Sequence, residues 1–430
     1  MIFEKILSLD ARPAGALRLA GLILLLPFVS LHTSCRPVED DAPAERLLIV
    51  YMASDNNLWP YAQRNIDGLA AGMADAPAHT RTVVYLDKQG EDAPYLFEVT
   101  ADGTKRLYSW SEDHNSASPA VLREVLDKAM ELCPAHAYGL ALWSHGTGWL
   151  PGEALPDLAK SVSKESAFPP AKLSLTALDS GPDEALPATG EWPSLYYFGQ
   201  DDDVPGGAYL EMDDLAAALP EGVFDYILFD ACFMASAEAL YPLRDKVDHV
   251  VASTMEVIAD GFPYAEITPF LLQSTPDLEK VCEEYFSYYA DHADPRYHSA
   301  TISLIDMRQI GLLATLTGDL LKEALSRDPE ALLRQTAGNR LQCFDRYNRH
   351  FVYDMDNTME NLVEDGLVPD AELAAWRAQL SRTVLFERHT SGFLGWPVSR
   401  CCGLSVYVPS EGSPFNAFYE ELAWTRDLGL

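Results

Sequence analysis

Residues 226–234 have the sequence Tyr-Ile-Leu-Phe-Asp-Ala-Cys-Phe-Met, an apolar run that ends in an aspartate and a cysteine. A short apolar run of this kind is typical of a buried strand in a parallel sheet. Residues 138–143 (YGLALW) form a second such run, which leads directly into Ser-His-Gly-Thr-Gly at 144–148. We therefore expect two buried strands, each with candidate reactive side chains at its carboxyl end.

Further strands and helices are predicted on either side of these two runs. The predicted strands are 47–53, 82–87 and 247–253, with a sheet-edge hairpin at 95–99 and 106–110, and the predicted helices are 62–73, 119–132, 212–219 and 233–243. Alternating strands and helices predict an α/β fold with a mostly parallel sheet flanked by helices. Such sheets bind ligands at the carboxyl ends of their strands.

Composition divides the chain into regions. Residues 46–264 carry the alternating pattern, which is interrupted at 150–205 by a stretch rich in Pro, Ser, Lys, Ala and Asp. That stretch predicts a surface excursion from the core. Residues 265–430 are richer in helix, with strands predicted at 300–304 and 403–408. We expect an α/β core followed by a C-terminal, mainly helical subdomain that packs on the sheet and can add strands to it.

The first 35 residues have the pattern of an export signal. Three basic residues precede the apolar run 19–31, which is too short to span a bilayer but has the length of a signal-peptide core. Small residues before Cys35 resemble a bacterial lipoprotein cleavage site, so we expect lipidation at Cys35 and a polar tether at 36–45. The expected location is the outer membrane or cell surface, and secretion or the periplasm is the alternative.

Charge and cysteine content exclude several classes of function. The 430 residues include 31 basic and 65 acidic ones, a formal net charge of −34 that repels nucleic acid and favours cationic partners. Six cysteines besides Cys35 are few for an exported chain of this length, and no disulfide framework is predicted. Cys-x-x-Cys and His-Glu-x-x-His spacings do not occur in the sequence, so no metal site is predicted.

The residues at the two strand ends suit acyl transfer. Cys232 is predicted between a strand and the first turn of a helix, where backbone N–H groups and the helix dipole favour a thiolate. His145 on its glycine-rich turn is a proton acceptor and donor, which together with a thiol makes a nucleophilic pair. The N–H groups of Gly146 and Cys232 are candidates for stabilising an oxyanion. Either motif alone is weak, because His-Gly turns and buried cysteines are commonly structural.

These motifs resemble those of the clostripain-like cysteine peptidases, relatives of caspases, legumains and gingipains. The resemblance covers about residues 46–410 and extends to Tyr-Met-Ala-Ser-Asp-Asn-Asn-Leu at 51–58, Asp-Gly-Phe-Pro-Tyr at 260–264 and Cys-Gly-Leu-Ser-Val-Tyr at 402–407. It implies a caspase-like sheet, His145 as catalytic base and acid, and Cys232 as the nucleophile. By the same resemblance, Asp230 recognises a basic P1 side chain.

Three acidic residues are candidates for the substrate pocket. A carboxylate at Asp230, close to the nucleophile, would pair with arginine or lysine, although aspartate is also a favoured helix N-cap at such a turn. Asp260 is either a pocket residue or part of an ordinary Asp-Gly turn. Glu256 is a weaker candidate. The segment 255–261 reads Met-Glu-Val-Ile-Ala-Asp-Gly, where relatives often have an acidic pair and Pro-Gly.

Processing and calcium binding are further implications of the resemblance. The family often matures by cleavage between its histidine and cysteine, which here points to Lys160 or Lys164, unless that stretch is only a flexible loop. Some relatives use calcium, and the acidic run 201–203 could contribute to a calcium site. A solvated turn explains that run equally well, and no cofactor is predicted.

Two alternatives to hydrolysis stay open. A non-catalytic surface lipoprotein of the same fold could bind basic peptides, although it would need neither His145 nor Cys232. A transpeptidase would use the same acyl-enzyme and transfer the acyl group to an amine. A serine hydrolase or nucleotide-dependent enzyme is disfavoured, because no Gly-x-Ser-x-Gly, Walker or dinucleotide motif occurs. We expect a monomeric endopeptidase acting on peptide substrates, with no nucleic-acid partner.

Overall fold

The structure is a computed structural model that describes residues 42–90, 93–152, 198–204, 207–336, 340–346 and 349–430. Cys35, Lys160 and Lys164 lie outside these residues, as does the predicted export signal. Pro43–Leu430 form one compact unit.

Most described strands belong to one large sheet. The strands are β1 (Arg46–Ser54), β2 (Thr80–Lys88), β3 (Tyr95–Thr100), β4 (Gly103–Ser109), β5 (Tyr138–Trp143), β6 (Phe198–Asp201), β7 (Ala208–Leu210), β8 (Phe224–Asp230), β9 (Val247–Ala252), β10 (Thr301–Asp306), β11 (Tyr353–Asp354), β12 (Val384–His389), β13 (Gly392–Phe393), β14 (Trp396–Pro397) and β15 (Ser405–Val406). The sheet has nine described strands in the order β12-β10-β9-β8-β5-β1-β2-β3-β4. Five neighbours, β9 to β2 in that order, are mutually parallel, and the edges are antiparallel. The predicted fold class, a mostly parallel sheet flanked by helices, is confirmed.

The helices occupy both the core region and the C-terminal region. Described α-helices are Trp59–Met73, Pro119–Leu132, Met212–Ala218, Ala237–Leu240, Tyr264–Leu271, Leu278–Ala290, Met307–Arg327, Ala331–Gln335, Met355–Glu364, Asp370–Thr383, Asn416–Glu420 and Ala423–Leu428. Among them, none has the length and apolar character needed to cross a bilayer.

Burial explains why the central strands are continuous apolar runs. All nine residues of β1 are buried, and β5 and β8 are buried along most of their length. Strands covered by helices on both faces need apolar side chains at every position. One exception is Arg46, 1% exposed, whose guanidinium donates to the carbonyls of Gln273 (2.8 Å) and Ser274 (3.1 Å) and pairs with Asp225 at 2.7 Å.

The two regions expected as core and subdomain share the central sheet. Strands β10 and β12 come from beyond residue 264. Strand β10 pairs antiparallel with β9, and β12 pairs antiparallel with β10 at the sheet edge. The surface excursion expected at 150–205 is wrong for its last part. Phe198–Asp201 form a fully buried strand that pairs with β7, and the Gln200 carbonyl accepts from the side-chain amide of Asn56, just after β1, at 3.0 Å.

Candidate active site

The carboxyl ends of β1, β5 and β8 lie side by side in the sheet. Met52 is the register partner of Trp143, which is in turn the partner of Asp230. The residues that follow these three strands therefore emerge at one edge. That edge brings together His145 and Cys232, which are 87 positions apart in the chain.

Gly146 is the point of closest approach between the histidine and cysteine loops. A Cβ atom built on Gly146 would lie 2.6 Å from the Cys232 carbonyl oxygen, 3.0 Å from the Cys232 nitrogen and 3.0 Å from the Ala231 Cβ. Only glycine fits, because backbone atoms cannot yield as a flexible side chain can. Neither the Gly146 N–H nor the Cys232 N–H donates to an acceptor among the described residues. Both predicted oxyanion donors are thus unpaired beside each other.

His145 is held by a residue that sequence reasoning did not single out. Its Nε2 lies 2.7 Å from Oδ1 of Asn57, at the carboxyl end of β1. Since an amide oxygen only accepts, Nε2 carries the proton and Nδ1 is the acceptor of the neutral ring. Burial lowers the pKa of His145 to about 4, so the ring is neutral at pH 7. A polar residue following a buried parallel strand was the signal that could have identified Asn57.

The expected thiolate at Cys232 is wrong. Burial, followed by the charge of Glu256, raises the pKa of Cys232 to about 12, and the Sγ accepts from the Val257 N–H at 3.3 Å. No helix begins at Cys232, because Phe233 and Ala235 donate their N–H groups to carbonyls after β9 instead of forming a helical turn. The predicted helix at 233–243 starts only at residue 237.

Asp230 ends β8 and is 5% exposed. Its Oδ2 accepts from the Phe262 N–H at 3.2 Å and the Tyr264 hydroxyl at 3.0 Å, whereas Oδ1 has no hydrogen bond in the described part of the chain. Burial raises the pKa of Asp230 to about 7. The alternative of a helix N-cap is wrong, since no described helix begins there.

Comparison with known proteins agrees with this arrangement. The family model of the clostripain family, Peptidase_C11, matches residues 50–164 and 192–374.

The chain belongs to the clostripain family.

Accordingly, it is a cysteine-type endopeptidase. Its structure resembles that of an inactive zymogen C11 protease from Parabacteroides distasonis, with 27% identity and a TM-score of 0.70 over 90% of this chain and 99% of that one. A secreted C11 cysteine protease from Bacteroides thetaiotaomicron in complex with an irreversible peptide inhibitor has the same fold, at 23% identity, with a TM-score of 0.67 and the same coverage of both chains. No sequence among the curated proteins matches this chain.

The other two acidic candidates of this clostripain-family chain are engaged by arginines. Asp260 forms an ion pair with Arg64, and its carbonyl accepts from Asn65 at 2.9 Å. Glu256 is completely buried and pairs with Arg346 at 2.9 Å. These contacts tie the loop after β9, which touches Cys232, to neighbouring segments.

A cluster of carboxylates lies at the ends of β1, β2 and β6. Asp55, Asp87 and Asp201 are each 2% exposed. Burial and mutual repulsion raise the pKa of Asp55 to about 7 and that of Asp87 to about 8. Asp201 accepts from the Ser116 N–H at 2.7 Å, while Asp55 Oδ1 and Asp87 Oδ2 are buried without a partner among the described residues. Carboxylate oxygens are the ligand type that calcium prefers, although the group of described residues whose donor atoms all lie within 4.8 Å of one another does not include these three.

Proposed function

We propose that this chain is an exported peptidase that hydrolyses peptide bonds after arginine or lysine, with Cys232 as nucleophile and His145 as general base and acid. The main support is the close fit of Gly146 against Cys232, together with the lack of an acceptor for either N–H group among the described residues. Donors arranged in advance where negative charge develops are the largest contributor to acyl transfer.

The protonation states of Cys232 and His145 favour transfer of the thiol proton during attack over a thiolate–imidazolium pair formed beforehand. The thiol and the imidazole are both neutral at pH 7, as their shifted pKa values require. In the proposed mechanism, His145 Nδ1 accepts the thiol proton as Sγ bonds to the carbonyl carbon. The N–H groups of Gly146 and Cys232 then stabilise the oxyanion, and the imidazolium protonates the leaving amine. Water, deprotonated by His145, releases the acid and restores the thiol.

Hydrogen bonds in the described structure correspond to a resting state. No hydrogen bond joins His145 and Cys232 within the described residues, since Sγ contacts Val257 and Nε2 contacts Asn57. Catalytic hydrogen bonds commonly tighten only when substrate is bound.

A basic P1 residue is the side chain that Asp230 suits best. Its Oδ1 makes no hydrogen bond within the described residues, and its buried carboxylate is destabilised until a cation offsets its charge. An arginine or lysine side chain would supply that cation by a charge-assisted hydrogen bond. The overall charge of −34 would also concentrate basic peptides near the surface.

Calcium, where bound, would be held in part by Asp201, the first residue of the acidic run 201–203, and would offset the repulsion between Asp201 and the buried Asp55 and Asp87. Asp55 lies two positions before Asn57, so the ion would stiffen the segment that orients His145. Chelation with EGTA should lower the melting temperature of the full chain but leave that of the Asp201→Asn variant unchanged. The same melting temperature with and without calcium would contradict this role.

Export and maturation are supported by relatives and by the N-terminal sequence. The Bacteroides neighbour is a secreted protease, and the Parabacteroides neighbour is an inactive zymogen. We extend both properties to this chain, with lipidation at Cys35 and self-processing at Lys160 or Lys164. A mass step that disappears in Cys232→Ala, and in a Lys160→Ala/Lys164→Ala double variant, would support self-processing.

The test of function compares the purified full chain with two cysteine variants. Fluorogenic peptides carry Arg, Lys, Asn, Asp or Ala at P1, and an amine acceptor is added in parallel. Cys232→Ala should abolish turnover, whereas Cys282→Ala, at a completely buried cysteine away from the site, should retain it. Equal turnover of peptides with other P1 residues would contradict the proposed role of Asp230. Amide products formed with the amine acceptor would indicate transpeptidation. Basic peptides that bind without being cleaved would favour the binding lipoprotein.

A further inference from the structure

Three side chains of different chemistry converge away from the proposed catalytic edge. Donor atoms of Glu387, His389 and Cys401 all lie within 4.8 Å of one another. Glu387 and His389 are two positions apart on β12, so both project from the same face of the strand. Their carboxylate and imidazole are already joined by a 2.7 Å contact between Oε1 and Nδ1.

The third donor is brought there by a close approach of the backbone. Gly403 has a φ of +87°, in the left-handed region that favours glycine, and a Cβ on it would lie 2.7 Å from Val384 and 3.3 Å from the Cβ of Glu387. The turn after Cys401 therefore packs directly on β12. Thr254 Oγ1 also contacts the Cys401 Sγ, at 3.5 Å.

We propose that Glu387, His389 and Cys401 bind a divalent transition metal ion, for which zinc is the best match. Thiolate, imidazole and carboxylate are the three ligand types that zinc prefers, and three protein ligands leave a fourth position for water. Tetrahedral zinc places its ligand atoms about 3.5 Å apart. The donor atoms of the three side chains lie within 4.8 Å of one another without an ion. On binding, the thiol proton of Cys401 is released to solvent.

The surroundings provide an entry path for the ion. Glu387 and Cys401 line an open cleft of about 450 Å³, which Cys402 and Asp354 also border. Cys401 and Cys402 are partly exposed, whereas the other cysteines of the described residues are buried. Sequence spacing could not predict this site, because its donors come from two separate segments and match no zinc motif.

A metal here would act on the loop that contacts the proposed nucleophile. Thr254 directly precedes the segment in which the Met255 carbonyl accepts from the Phe233 N–H and the Val257 N–H donates to Cys232. Holding Cys401 against Thr254 would fasten the start of that segment. Metal binding is therefore expected to raise the melting temperature of the protein.

The test uses the full chain carrying Cys232→Ala, so that the proposed nucleophile cannot bind metal. Zinc binding is measured by calorimetry, and cobalt(II) is added as a spectroscopic probe. One equivalent of cobalt should produce a thiolate-to-metal charge-transfer band. Adding Cys401→Ser should remove that band, and His389→Gln should weaken zinc binding by roughly 10- to 100-fold or more. Cys402→Ser is the matched control and should change neither.

Two outcomes would overturn the proposal. One is the lack of stoichiometric zinc binding to the Cys232→Ala chain. The other is zinc affinity that stays the same in the Cys401→Ser and His389→Gln variants. Melting curves in EDTA show whether each variant is folded. If Cys401→Ser and His389→Gln do not fold, zinc binding is compared in Glu387→Gln, which preserves side-chain shape, and unchanged affinity there overturns the proposal.

Discussion

Replacing Gly146 by alanine should separate the loops that carry the proposed catalytic pair. The new Cβ would lie 2.6 Å from the Cys232 carbonyl oxygen, whereas ordinary contact begins at 3.4 Å. The loops must therefore move apart by the difference, about 0.8 Å. His145 immediately precedes the substituted position, so this displacement acts directly on its alignment with the thiol.

The structure sets the size of the expected effect. A misplacement of about 1 Å between reacting groups costs roughly 10²-fold in rate. Gly146→Ala should therefore reduce kcat/KM by roughly 10²-fold, equivalent to about 2.7 kcal/mol of transition-state stabilisation. The free energy of unfolding should fall by only about 1–3 kcal/mol, because the strain is local.

The assay measures kcat/KM on a peptide with lysine at P1, together with urea unfolding. Gly311→Ala is the matched control, since a Cβ there meets no atom within 4 Å and the residue lies inside a long helix. The control should keep wild-type activity and gain up to about 1 kcal/mol of stability. A folded Gly146→Ala variant with wild-type kcat/KM would refute the reasoning.

Three further substitutions or conditions test the site and the fold. Asn57→Ala should lower kcat by roughly 10- to 10²-fold, because His145 loses the acceptor that orients it. Asn57→Asp should restore activity and move the acid limb of the pH–rate profile to higher pH. Equal pH profiles in the wild type and both variants would contradict this role. The pKa of Asp230 is about 7, so its protonation should reduce kcat/KM for cleavage after lysine by about tenfold per pH unit below that value. The kcat/KM for cleavage after alanine should not show this decrease. Arg46→Met should lower the free energy of unfolding in urea by about 2 kcal/mol, because Asp225 and the carbonyls of Gln273 and Ser274 lose hydrogen bonds to a buried charged group. An unchanged value would show that this contact does not stabilise the fold.

Much of the site was predictable because it depends on local pattern. The apolar runs at β5 and β8 identify buried parallel strands, and a polar residue directly after such a strand must emerge at the sheet edge. His145, Gly146 and Cys232 follow from that rule. Asn57 obeys the same rule after β1, although its contact with the imidazole depends on a backbone path that no local pattern specifies.

The protonation of the pair was not predictable from local pattern. A cysteine at a strand-to-helix turn suggested a thiolate, but the N–H groups of Phe233 and Ala235 bond to the loop after β9, and the helix starts later. The pKa of Cys232 therefore follows its burial and the charge of Glu256, 24 positions away in the sequence.

By itself, the sequence determined the order of strands and helices, the fold class and the residues at two strand ends, because strand and helix periodicities are properties of neighbouring residues. Only the tertiary structure decided which distant groups meet. It placed β10 and β12 in the central sheet, paired Asp260 with Arg64, and brought Cys401 to His389. Such contacts depend on how packed segments approach in space, and so do desolvation and the pKa shifts it causes.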